Sequence, residues 1–186
     1  MALSAVFVYL KLHPSEKLEQ KKRSELEDKL KTKIDEGKII FDGPSDVSAS
    51  LKSELLREND GQKITVNLQE LVLHLSEIVG TKIRVSSLVR NNVNFKTALQ
   101  KHFSLFAGHP GGEAVDIGNE EIAKEILSQV ANDDEVSRLK IDEIIFDAKI
   151  AGESERNLWN YDQGTKHEYN SDTLDDHKDH IHFKVF

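Results

Sequence analysis

The sequence predicts an α+β fold preceded by a mostly helical N-terminal extension. Two observations carry this. Runs rich in β-branched and aromatic residues, such as "KIRVSSLVR" (82–90), "IDEIIFDAKI" (141–150) and "HIHFKVF" (180–186), alternate with stretches whose leucines recur at helical spacing. The alternation sets in near residue 64, and the first sixty residues are dominated by two helical patterns. The chain therefore divides into an extension over 1–60, of unassigned role, and a domain over 61–186. There is no internal repeat and no low-complexity tract.

In chain order, "AVFVYL" at 5–10 is a strand. Pro14 and Ser15 open a helix that Gly37 closes, with Leu18, Leu26, Leu30 and Ile34 as a narrow apolar stripe. Its charge run is a solvated face. "KIIF" (38–41) is a short strand, "DGP" (42–44) a turn and "SDVSASLKSELLREN" (45–59) a second helix. Asn67, with Glu70 three residues on, predicts the capped start of a helix carrying Leu68, Leu71, Leu75 and Val79, which Gly80 ends. After the 82–90 strand, 95–106 is a shorter helix, 113–118 a short strand, and 119–132 a helix that Asn119 caps. The polar segment 153–179 reads as a long loop between two strands.

Composition narrows the function classes. The 186 residues carry a net charge of −8, a poor match to nucleic acid or an anionic membrane, both of which call for clustered Lys and Arg. The apolar run 5–12 is too short to span a bilayer and lacks the basic flank and cleavage site of a signal peptide. Cys is absent, so a metal site must be built from His, Asp and Glu.

Among the eight histidines, His13, His74 and His102 lack acidic partners at useful spacing, and His167 and His177 lie in the polar segment and read as solvated. His109 differs. In "HPGGEAVD" it precedes Asp116 by seven residues, and Gly111 and Gly112 allow a tight turn between them. Imidazole and carboxylate suit zinc. In the terminal "HIH", His180 and His182 share one strand face, and either could supply a third ligand. Three protein ligands with one open position define a catalytic zinc site. Asp179 and Asp176 lie three and six residues before His182 and are candidates for the general base.

"HxxGxAxD" followed near the C-terminus by "HxH" resembles the zinc D-Ala-D-Ala carboxypeptidase family, peptidase family M15, whose fold is shared by hedgehog signalling domains. The strand and turn ending in "SLVR" (87–90) resembles the family's "SGYR" turn, and "DEIIFD" (142–147) its "DQIIxE" strand, so the resemblance covers about residues 64–186. It implies an antiparallel sheet with flanking helices and a Zn2+ site. By motif, His109, Asp116 and His182 would hold the metal, Asp179 would act as general base, His180 would line the site, and Arg90 would hold a substrate carboxylate or carbonyl. The sequence departs from the family at Ala107, where Ser is common, at "SLVR", which loses the Gly and the aromatic residue, and at "KDHIH", which lacks the usual Trp; the single Trp159 lies in the preceding segment.

The activity implied is hydrolysis of peptide bonds in peptidoglycan stem peptides, by a D,D-carboxypeptidase or an endolysin-like endopeptidase. Without a signal peptide, such a protein would reach the cell wall by release or delivery from the cytoplasm. The alternatives are a zinc-binding interaction module without catalysis, and a phage or injection-machine component carrying this fold.

Overall fold

The computed structural model describes residues 14–58, 64–88 and 111–186. The expected strand at 5–10 and helix at 95–106 lie outside them, as do Arg90 and His109. Within them, six α-helices and a seven-stranded sheet make a mixed α+β fold.

Helix α1 (Pro14–Asp35) buries Leu26 and Leu30 on the predicted stripe, packs on α3, and ends where Gly37 takes φ +70°. Strand β1 (Ile39–Phe41) follows, and α2 (Ser45–Leu55) buries Leu51 and Leu55. The buried C-terminal end of α2 is tied down by Gln69, whose side-chain amide donates to the Leu55 carbonyl at 2.7 Å. Helix α3 (Val66–Ile78) starts earlier than predicted. Thr65 caps it, its hydroxyl accepting from the Leu68 N–H at 3.2 Å, while Asn67 donates to the Phe186 carbonyl at 2.6 Å.

The sheet order is β1-β2-β3-β7-β4-β5-β6, with β2 Ile83–Ser87, β3 Ala114–Ile117, β4 Ile141–Ile145, β5 Tyr161–Asp162, β6 Thr165–Lys166 and β7 Ile181–Val185. One pair departs from the antiparallel expectation: β1 runs parallel to β2, with Ile39 opposite Ile83. Because α2 and α3 intervene between β1 and β2, the chain can return in the same direction. Residues before position 60 thus contribute a strand to the same sheet and Leu26, Leu30, Ile39, Leu51 and Leu55 to the same core cluster.

Side-chain alternation splits the central strands into two faces. Val115, Ile117, Ile144, Ile181, Phe183 and Val185 join Leu68, Leu71 and Leu75 of α3 in the core. The opposite face carries Asp116, Glu143 and His182. Ala114, Ile145 and Leu174 are buried but stand outside the main core cluster.

Two regions correct the sequence reading. The 119–132 helix is a 3₁₀ turn (Glu120–Ile122) leading into α4 (Ala123–Val130), and a further helix, α5 (Asp133–Arg138), follows it. Asn119 makes no side-chain cap there; its oxygen accepts from the Arg84 N–H and its amide donates to Glu121. The 153–179 segment is an ordered excursion. It contains a β5–β6 hairpin, whose two-residue turn has Gln163 and Gly164 at positive φ, and α6 (Ser171–Asp176), capped by Asn170. Side-chain amides hold it. Buried Asn160 accepts from the Phe146 N–H at 2.8 Å and donates to Asn157, whose oxygen also accepts from the Tyr169 N–H at 2.9 Å.

Candidate metal and catalytic site

Strand register builds the site. Asp116 on β3 lies directly opposite His182 on β7. Both are buried, 2% and 1% exposed, and Oδ1 of Asp116 is 2.8 Å from Nδ1 of His182. The turn that delivers β3 needs Gly112 at φ +73°, and the Gly112 carbonyl accepts from the Thr65 N–H at 3.0 Å, pinning the turn to the start of α3. On the other flank, Glu143 of β4 places Oε2 3.4 Å from Nε2 of His182. Glu143 is itself held by Tyr169, whose hydroxyl donates to its Oε1 at 2.8 Å and also lies 3.0 Å from the Tyr161 carbonyl. His182 thus has a carboxylate at each ring nitrogen. Burial opposes its charged form, but Asp116 and Glu143 outweigh that and raise its pKa above the ordinary histidine range.

His180 immediately precedes β7 and links outward. Its Nδ1 is 2.7 Å from Oδ1 of Asp179, and its Nε2 is 3.8 Å from Oδ1 of Asp116. The hydrogen bond with His180 holds the Asp179 carboxyl below its ordinary value, so Asp179, whose side chain is 74% exposed, is ionised at neutral pH. Asp176, at the end of α6, is exposed.

His177, read from sequence as solvated, is packed into the site. Its ring centroid lies 5.0 Å from that of His180 and 5.6 Å from that of His182, and its Nδ1 is 2.7 Å from the Thr173 carbonyl. Burial, and then the positive charge on His182, push its pKa down to about 4, which leaves it neutral. His74 also gains an acidic partner that the sequence does not suggest: Glu135 of α5 lies 3.6 Å from its Nε2. Neither Glu143 nor His177 figured among the sequence candidates. Both reach His182 through tertiary placement, and only the "DEII" strand pattern hinted at Glu143.

Of the six candidates, the structure brings together Asp116, Asp179, His180 and His182; His109 and Arg90 lie outside the described residues. Among the described residues, no group of three or more His, Asp and Glu side chains is placed to hold a metal ion. The donors that fit one are Asp116 Oδ1 and His182 Nδ1, which point at each other from adjacent strands. Also among the described residues, no helix is long and apolar enough to cross a membrane. No family model, no curated protein and no solved structure matches this chain.

Proposed function

We propose that this chain is a zinc metallopeptidase that hydrolyses peptide bonds of peptidoglycan stem peptides, as a D,D-carboxypeptidase or an endolysin-like endopeptidase. The observation that carries the metal half of this reading is the buried Asp116–His182 pair, a carboxylate oxygen and an imidazole nitrogen 2.8 Å apart. Both are zinc donor types, and the sequence motif supplies His109 as the third. The resemblance supplies the substrate class.

Bound there, zinc would supply Lewis acidity and lower the pKa of water to about 7. Asp179 is ionised, exposed and close to the site through His180, so it can accept a proton from the attacking water and return it to the leaving amine. His180 fixes the Asp179 carboxylate by its Nδ1 contact and turns its other nitrogen toward Asp116. By the motif, Arg90 binds the substrate carboxylate or the developing oxyanion with its paired donors.

The test is mass spectrometry of muropeptides after incubation with zinc-supplemented protein. Loss of a terminal D-Ala or cleavage of a cross-link supports the reading and separates its two modes. Intact muropeptides beside stoichiometric zinc would leave a metal-binding module without this hydrolysis.

A further inference from the structure

We infer that Glu143, braced by Tyr169, is a positioning residue that fixes which nitrogen of His182 faces the metal. This rests on the metal-site reading above and extends it to a residue to which the sequence motifs gave no role. His182 has two nitrogens and one orientation. Nδ1 points to Asp116, the partner proposed to share the metal, at 2.8 Å. Nε2 is shielded from solvent, and Glu143 Oε2 lies 3.4 Å from it. A ring that offers Nδ1 to a cation carries its proton on Nε2, and that proton needs an acceptor inside the protein. Glu143 stands on the side where the acceptor is required. Carboxylate–histidine pairs of this kind set the tautomer and orientation of metal-bound imidazoles and raise their basicity.

Glu143 is also well placed to hold still. It sits on β4, paired to β7 with Ile145 opposite His182, and Tyr169 donates to its other oxygen at 2.8 Å. Tyr169 in turn is anchored by two hydrogen bonds between its main chain and Asn157. The ordered 153–179 excursion therefore serves the site, because it carries the hydroxyl that orients Glu143.

The experiment is zinc titration by competition with a chelating dye, on wild type, Glu143→Gln, Glu143→Leu and Tyr169→Phe, with circular dichroism confirming that each variant folds. It is joined by nitrogen NMR of the cadmium-loaded protein with labelled histidine. Zinc affinity should fall about tenfold in Glu143→Gln, which keeps an acceptor, and up to about a hundredfold in Glu143→Leu. Tyr169→Phe should lose only a few-fold, because it removes the brace on Glu143 and leaves the carboxylate itself beside Nε2. Cadmium–nitrogen coupling of His182 should appear at Nδ1 in wild type. Coupling at Nε2, or unchanged affinity in both Glu143 variants beside a zinc-binding wild type, overturns the inference alone. A wild type that takes up no zinc overturns the metal site itself and the inference with it. Should Glu143→Leu fail to fold, Glu143→Gln and Tyr169→Phe still decide.

Discussion

Asp116 and His182 are 66 residues apart in sequence and 2.8 Å apart in space. Register, more than either residue, makes the pair: Asp116 pairs with His182 and Val115 with Phe183, so the two polar side chains share one face while the apolar ones share the other. A one-residue slip of β7 would send His182 into the core and Phe183 into the site.

This pairing gives a first prediction. Purified protein should carry one tightly bound divalent ion, most readily zinc, and Asp116→Ala, His182→Ala and His109→Ala should each lose it, as read by elemental analysis. Wild type should also melt higher with zinc than with chelator, because an ion that binds only the folded state stabilises it. If the protein is metal-free and the chelator changes nothing, His182 serves as a buried imidazolium between Asp116 and Glu143.

The fold's dependence on residues before position 60 gives a second. Deleting residues 1–60 would remove β1 from the sheet edge and take Leu26, Leu30, Ile39, Leu51, Leu55 and Leu56 from the core. Each buried aliphatic side chain contributes roughly 1.5–3 kcal/mol, so the loss rivals the roughly 5–15 kcal/mol that keeps a domain folded. The 61–186 fragment should lack a cooperative thermal transition. A sharp transition, with dispersed amide NMR signals, would show that the segment is dispensable.

A third prediction concerns acid stability. Asp147 is buried two residues beyond the end of β4, and Arg156 binds its Oδ2 through two nitrogens, at 2.9 and 2.7 Å. Burial works against the charged carboxylate, but the hydrogen bonds from Arg156 and from the Lys149 N–H prevail and hold its pKa below the ordinary 3.8. The folded value lies below the unfolded one, so this stabilisation is present above about pH 4 and disappears as pH falls through the folded value. Urea midpoints of wild type should drop between pH 4 and 2 more steeply than those of Asp147→Asn. At pH 7 Asp147→Asn should be less stable by about 1.5–3 kcal/mol, the scale of a charge-assisted hydrogen bond. Parallel pH profiles for the two proteins would remove Asp147 from the acid transition.

What the sequence disclosed follows physical length scales. Strands β2, β3, β4 and β7 were legible because four or five residues of alternating or continuous apolar character bury a face, and α1 to α3 because their leucines repeat over several turns. Strands β5 and β6 were not, since two-residue strands have no period to read. Their place is fixed by tertiary contacts: Tyr161 is buried in the core, and Asn157 and Asn160 supply the side-chain hydrogen bonds that hold the excursion. The cap of α3 was misplaced by two residues because Thr65 and Asn67 are both good caps, and the Phe186 carbonyl engages the second. At the site, motif spacing pointed to Asp116, Asp179, His180 and His182, whose side chains the fold brings together. The contacts of Glu143 and His177 with His182 depend on strand pairing and on where α6 sets down the chain, and no local pattern encodes them.

The final prediction separates the two acidic candidates. Asp179 touches His180 at 2.7 Å, and through His180 it is one imidazole away from Asp116; Asp176 is exposed at the end of α6. Proton transfer needs Asp179 to be ionised and near, and the hydrogen bond from His180 provides the first condition. Replacement by Asn keeps an oxygen that can accept from His180 Nδ1 but removes the site for the proton. If Asp179 only orients His180, Asp179→Asn should retain most activity. If it is the base, Asp179→Asn and Asp179→Ala should both lose about a hundred- to ten-thousandfold in kcat on a muropeptide that wild type cuts. Zinc content and melting temperature should stay near wild type in either case, because a side chain 74% exposed contributes little to folding. Asp176→Asn should be as active as wild type. A dead Asp176→Asn beside an active Asp179→Asn would transfer the role to Asp176, and the Asp179–His180 contact would then be a surface ion pair.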